Sequence, residues 1–350
     1  MSTLPLRWGI LGTGTIAHTF AQALQETATG RLVAVGSRGR EAAERFAAEL
    51  GAVRPHGGYA GLLADAEVEA VYIATPHPAH AEWAIAAARA GKHVLCEKPL
   101  TLNLADSERV VAAARAAGVT LMEAYMYRCH PQTERLAALV RDGAIGRPGL
   151  IEASFGFHCD FIPGHRLFAK ALGGGGILDV GGYPVSLARL LAGAAQGRAF
   201  ADPVAVTGAA HLHPEEGTDL HAAATLRFED GMLAQVACGV SLEMENVVRV
   251  HGSEGRILVR DPWFAAGGHG VTRIELHRRG RSPESIEVAA DRGLYGYEAE
   301  AFAAAVRAGW PEVPAMSWAD SLGNMAALDA WLSAAGVFYR GEATARRGPI

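Results

Sequence analysis

Two short stretches of the chain hold side chains able to move a proton. In His93-Val94-Leu95-Cys96-Glu97-Lys98-Pro99-Leu100, an apolar run reads as a strand that ends in an acid and an ammonium. A proline then locks the backbone. Taken alone, this is equally a strand that reaches the surface and leaves a solvated lysine. The second stretch, residues 173–186, reads GGGGILDVGGYPVS. A helix from about Leu178 puts Asp179 and Tyr183 on one face. Gly181 and Gly182 weaken that helix but let another surface come close. The plain alternative is a glycine-rich turn with Asp179 as an N-cap. His77, His80, His211 and His213 have spacings seen in metal sites. No acid or cysteine cluster accompanies them, so no metal is expected.

A third stretch suits a phosphate. Gly12-Thr13-Gly14-Thr15-Ile16-Ala17 has the form GxGxxA. It follows the apolar run Leu6–Leu11 and opens a segment in which Ile16, Phe20, Ala23 and Leu24 keep helical spacing. The first glycine permits a tight turn, and the second lets a pyrophosphate approach the backbone. The helix start supplies N–H donors, and Ala17 keeps helix and strand close. An acid about 20 residues on would bind the ribose 2′-hydroxyl of NAD. Here the second strand ends in Gly36-Ser37-Arg38, with no acid. Ser37 can donate to a 2′-phosphate, and Arg38 can pair with it or stack on adenine, so NADP is favoured and NAD remains possible. Otherwise Arg38 is a surface residue on a loop tip.

These stretches need a frame. Apolar runs at 6–11, 32–35, 70–74, 93–96 and 120–122 alternate with helical patterns at 41–50, 79–90 and 105–117. Strands apolar throughout and separated by helices predict a doubly wound parallel sheet covered on both faces. Past Tyr125 the pattern changes. Residues 219–229 alternate, with Leu220, Ala222, Ala224, Leu226 and Phe228 on one face and Asp219, His221, Ala223, Thr225 and Arg227 on the other. Further strands are read at 150–157, 204–212, 232–240, 247–251, 256–259 and 273–277, and Glu229-Asp230-Gly231 reads as a hairpin turn. Helices are read at 132–141, 183–191, 298–308 and 318–335. The expected fold is α/β: an N-terminal Rossmann sheet in residues 1–124, then a C-terminal α/β domain on an open, mostly antiparallel sheet in residues 125–350.

The chain's 350 residues suffice for two cores. A net charge of −5 with no basic block argues against a nucleic-acid partner. No apolar run reaches membrane-spanning length, and the N-terminus does not read as a signal peptide. Cys96, Cys129, Cys159 and Cys238 are scattered, which fits a cytoplasmic protein without disulfides or zinc, and Cys96 reads as a packed thiol.

Gly12-Thr13-Gly14, Ala74-Thr75-Pro76, Glu97-Lys98-Pro99 and residues 174–181 (GGGILDVG) together resemble the Gfo/Idh/MocA oxidoreductase family, in order and over nearly the whole chain. Residues 122–132 (MEAYMYRCHPQ) are similar to the branch holding dimeric dihydrodiol dehydrogenase and D-xylose dehydrogenases. The resemblance implies that Lys98 meets substrate and nicotinamide, that Asp179 is the acid of the substrate pocket, and that Tyr183 is the acid–base residue. It implies cofactor contacts from Thr75, Pro76, His77, His80, Glu97 and Arg166, and a cis Lys98–Pro99 bond. His77 stands where many members have Asn. Tyr183 stands where inositol dehydrogenase-like members have His, which argues against an inositol substrate.

The chemistry agrees. Oxidising an alcohol sends a hydride to nicotinamide while a base takes the hydroxyl proton. Tyrosine is a poor base at its ordinary pKa of about 10, and a nearby ammonium favours its phenolate. The expected function is NADP-dependent hydride transfer to or from a sugar, sugar derivative or cyclic diol. The alternatives are NAD-dependent glycoside hydrolysis within the same family and a catalytically silent NADP sensor. A C-terminal sheet with one face free of helices predicts a homodimer or homotetramer.

Overall fold

The computed structural model describes residues 4–51, 54–265 and 270–339. Two compact units account for it. One runs to residue 130 and is rejoined by residues 291–322; the other holds 131–265, 270–290 and the chain from 323.

The first unit is built on a six-stranded sheet: β1 (Leu6–Leu11), β2 (Gly30–Gly36), β3 (Arg54–His56), β4 (Ala70–Ile73), β5 (His93–Glu97) and β6 (Leu121–Ala124). Its order is β3-β2-β1-β4-β5-β6, and every pairing is parallel. Helices α1 (Thr15–Gln25), α2 (Arg40–Leu50), α3 (Tyr59–Leu63), α4 (His80–Arg89) and α5 (Leu104–Ala117) connect the strands. The order reverses between β1 and β4, which is where ligands of such sheets bind. The strands are apolar throughout because both faces are covered; β4 is buried along its whole length.

Residues 291–322 complete this unit. Phe302 packs on Trp8 with ring centroids 5.2 Å apart, and Trp8 also meets Phe20 at 5.2 Å. Leu121 N–H donates to the Pro311 carbonyl at 3.0 Å, and Arg307 Nη2 donates to the Thr29 carbonyl at 3.0 Å. Arg128 and Asp320 form a buried ion pair at 2.6 Å.

The second unit contains an eight-stranded sheet in the order β14-β13-β12-β11-β7-β10-β9-β8. Its strands are β7 (Pro148–Gly156), β8 (Ala205–Leu212), β9 (Asp219–Arg227), β10 (Leu233–Gly239), β11 (Val247–Gly252), β12 (Gly255–Arg260), β13 (Gly270–Arg278) and β14 (Glu284–Ala290). All neighbours are antiparallel except β10 and β7. Helices α6 (Pro131–Arg141) and α7 (Gly182–Ala195) belong to this unit, α8 (Leu294–Ala308) to the first, and the division falls inside α9 (Trp318–Ala334). Among the described residues, no helix is long and apolar enough to cross a membrane.

One expectation about this sheet needs correction. Asp219 is buried, although simple alternation puts it on the outer face. His211 pairs with His221 but Leu212 pairs with Asp219, so Leu220 is an extra residue. A bulge of this kind reverses the alternation and turns Asp219 inward.

Candidate active site

On the first unit, the residues after β1, β2, β4 and β5 gather at the carboxyl edge of the sheet. Gly12 follows β1 with φ of +109°, and a Cβ there would lie 2.6 Å from the Ala74 carbonyl oxygen. Only glycine fits that turn. Gly14 is the N-cap of α1 and provides no side-chain acceptor. A Cβ on Gly14 would meet nothing within 4 Å. The first N–H groups of α1, at Thr15 and Ile16, therefore begin at an open cradle. The Thr13 and Ser37 hydroxyls lie 3.5 Å apart, Ser37 is buried at the end of β2, and Arg38 beyond it is exposed.

Thr75 follows β4, and its buried hydroxyl has no hydrogen-bond partner among the described residues. Pro76 is exposed and His77 half-buried. His80 is fully buried, with Nδ1 2.8 Å from the Pro99 carbonyl and Nε2 2.8 Å from that of Thr75. It ties the loop after β4 to the turn after β5. The Lys98–Pro99 bond in that turn is cis. Lys98 itself is half-buried. Glu97 turns into the unit: the Tyr72 hydroxyl donates to its Oε1, and its Oε2 accepts the Lys98 N–H at 3.2 Å. Burial and the charge of Glu97 push the neighbouring Glu298 carboxyl well above the ordinary range.

On the second unit, Ile177–Gly181 form a π turn that runs directly into α7. Single turns of this kind occur often at functional sites. Asp179 in the turn is 5% exposed and accepts a hydrogen bond from Arg166 Nη1 at 2.8 Å. Tyr183, one residue into α7, is 4% exposed. Its ring stands edge-on to Phe155 and Trp263, with centroids 5.0 and 5.8 Å away. Phe264 meets Phe155 edge-on at 5.6 Å and remains exposed.

The first unit thus brings together Gly12, Thr13, Gly14, Thr15, Ile16, Ser37, Arg38, Thr75, Pro76, His77, His80, Glu97 and Lys98 near the ends of adjacent strands. The second brings together Arg166, Asp179 and Tyr183. Reasoning from sequence missed the aromatic wall of Phe155 and Trp263, which come from β7 and from the loop after β12. It also missed Asp219. Only the isolated dipeptide Trp263-Phe264 hinted at the wall. Among the described residues, no group of three or more His, Cys, Asp and Glu is placed to hold a metal ion.

A parallel sheet with an open glycine cradle at its point of reversal is the architecture of a dinucleotide-dependent oxidoreductase. Residues 6–125 match the oxidoreductase family with an NAD-binding Rossmann fold, and residues 133–258 match the GFO/IDH/MocA C-terminal domain. The chain belongs to the Gfo/Idh/MocA oxidoreductase family. It is 34% identical to D-xylose 1-dehydrogenase (NADP(+)) 2 of Haloferax volcanii, over 93% of this chain and 96% of that one. It is 32% identical to trans-1,2-dihydrobenzene-1,2-diol dehydrogenase of Danio rerio, over 91% and 93%. Among solved structures, a 3-ketoreductase from Actinomadura kijaniata in complex with NADP and TDP-benzene superposes with a TM-score of 0.85 at 30% identity, over 96% of this chain and 99% of that one.

Proposed function

We propose that this oxidoreductase moves a hydride between NADP and a hydroxyl or keto carbon of a sugar, a sugar derivative or a cyclic diol, with Lys98 and Tyr183 as the catalytic pair. The observation that carries the proposal is the Asp179–Tyr183 turn, which buries a guanidinium-paired carboxylate one helical turn before a phenol walled by aromatic rings. The relatives act on D-xylose and on a dihydrodiol, as their names state, and both substrates present neighbouring hydroxyls.

The residues fit a dinucleotide: the Gly12 turn admits no side chain, Gly14 leaves space, and the Thr75 hydroxyl is left for a ligand. The amides at Thr15 and Ile16 would hold the pyrophosphate, and Ser37 and Arg38 the 2′-phosphate of NADP. When bound, the nicotinamide supplies the hydride or accepts it. In the oxidative direction Tyr183 Oη takes the proton of the substrate hydroxyl, and in the reductive direction it returns it. The Lys98 ammonium favours the phenolate form. Asp179, oriented by Arg166, accepts hydrogen bonds from substrate hydroxyls. Phe155 and Trp263 keep water from the phenol and offer an apolar surface to a ring.

The test is net turnover of free NADP(H) across a panel of aldoses, keto sugars and cyclic diols. We expect conversion of at least one of these classes. A cofactor that stays bound without net turnover during glycoside cleavage, or binds with no reaction at all, overturns the proposal.

The exposed face of the second sheet suits a second copy of the chain. Small and polar residues line it, including Ala209, Ala223, Ala237 and Thr225, with Glu152 and Arg249 among them. A face of small side chains carrying both charges can mate with itself about a two-fold axis. The assembly we propose is a homodimer, or a homotetramer built from it, and light scattering that finds only monomer at micromolar concentration would refute it.

A further inference from the structure

Beneath the catalytic turn lies a carboxylate that no sequence motif marks. Asp219 opens β9 and is fully buried. Its Oδ2 accepts the Ile177 N–H at 2.6 Å, while Oδ1 has no hydrogen-bond partner among the described residues. The glycines above it leave it room. Gly175 has φ of +113°, and a Cβ there would lie 2.3 Å from Asp219 Oδ1. A Cβ on Gly176 would lie 3.3 Å from Oδ2. The neighbourhood is fastened on several sides. The Tyr339 hydroxyl donates to the Gly174 carbonyl, and the Thr218 hydroxyl donates to the Phe168 carbonyl at 2.8 Å. The Gly175 N–H donates to the Leu167 carbonyl at 2.8 Å, and the Asp179 N–H donates to the Gly175 carbonyl at 3.1 Å. Asp219 therefore sits under the one segment that carries Asp179, leads into Tyr183 and is hydrogen-bonded to the residue after Arg166.

We propose that Asp219 is a positioning residue, which through the Ile177 N–H sets the π turn and with it the placement of Asp179 and Tyr183. Its catalytic consequence rests on the function proposed above; its hold on the turn does not.

Among the described residues, three titratable groups face Asp219: Asp179 on the turn, Cys238 on β10, and Tyr339. Burial pushes the Cys238 thiol and the Tyr339 phenol well above their ordinary values, so both are neutral near pH 7. Asp179 has the guanidinium of Arg166, whereas Asp219 is met by backbone N–H groups. Burial raises the Asp219 carboxyl to about 7 against the pull of the Ile177 N–H, and the charge of Asp179 adds to the rise. A carboxyl raised in the folded state favours the native protein most below its ordinary pKa. That contribution is lost as pH rises from about 4 through about 7.

The experiment compares the full-length wild type with Asp219→Asn and Asp219→Ala. Thermal unfolding is followed from about pH 4 to about 8, and steady-state kinetics with NADP(H) use the best substrate of the panel. Asn keeps an acceptor for the Ile177 N–H but does not titrate. We expect it to keep kcat within about threefold, to remove the wild-type fall in Tm between about pH 4 and about 7, and to remove the inflection in kcat near the upper end of that range. Ala leaves that N–H buried and unpaired. It should lower kcat about tenfold or more, with little change in KM for NADP. Should Ala fail to fold, the two pH profiles of Asn decide the matter. An Asn variant that keeps both wild-type inflections, or a folded Ala variant with wild-type kcat, overturns the proposal. A Tyr183→Phe variant with full activity would instead overturn the catalytic reading and leave the Tm result standing.

Discussion

Two glycine-rich segments occupy the molecule, and they use their missing side chains differently. At Gly12–Gly14 the first glycine is pressed against the protein's own backbone and the second faces open space. At Gly173–Gly176 the space is already filled: the Asp219 carboxylate lies where side chains on Gly175 and Gly176 would go. One segment is an unfinished surface that a ligand completes. The other is a finished interior that holds a turn in place. A run of glycines in a sequence does not tell these apart; what the absent Cβ would have met does.

Four substitutions break or sharpen that contrast. The largest effect is expected of Gly175→Ala, which combines a left-handed backbone with a clash on a buried carboxylate. It should cost about 3 kcal/mol or more of folding stability, read by chemical denaturation. Next, Tyr183→Phe should lower kcat by about 10²-fold while NADP affinity and the melting temperature hold nearly steady. Arg38→Ala should weaken NADP about tenfold or more and leave NAD almost unchanged, read by titration of both cofactors; equal losses would remove the 2′-phosphate role. Only a small effect on folding is expected of Gly14→Ala. With φ of −80° and nothing within 4 Å, it should shift stability by about 1 kcal/mol or less. Its cost should appear in NADP affinity. If Gly14→Ala destabilised the fold as much as Gly175→Ala, the two segments would not differ as described.

Much of the frame was legible because buried parallel strands are apolar along their length, and β1, β4 and β5 announce themselves. The elements that escaped notice lack that mark. β3 and α3 are too short to show a period, and β14, an edge strand reading ESIEVAA, is broken by two glutamates and ends in two small alanines. The nucleotide cradle was legible because turn, glycines and helix start are contiguous in sequence. Around the turn at 177–181, the positions of Asp179 and Tyr183 could be read, but their surroundings could not. Phe155 on β7 and Trp263 in the loop after β12 reach Tyr183 from distant parts of the chain, and Asp219 faces inward only because of the bulge at Leu220. A helix was anticipated at 298–308, one turn short of the observed 294–308 and without its allegiance, since nothing local shows that Phe302 will lie against Trp8.

That allegiance bears on how the protein is made. The first strand to leave the ribosome carries Trp8, yet the ring that covers it arrives almost three hundred residues later. The hydrogen bonds from Leu121 to Pro311 and from Arg307 to Thr29 wait equally long, as does the ion pair of Arg128 with Asp320. A nascent chain halted after residue 130 would present its parallel sheet with one flank bare, a state inviting chaperone capture. All eight strands of the second sheet are synthesised within that interval, so that sheet can form while the earlier one is still open. Completion of the nucleotide-binding unit thus waits on residues 291–322, and a truncation that removes them strips it of the contacts to Trp8, Leu121, Thr29 and Arg128.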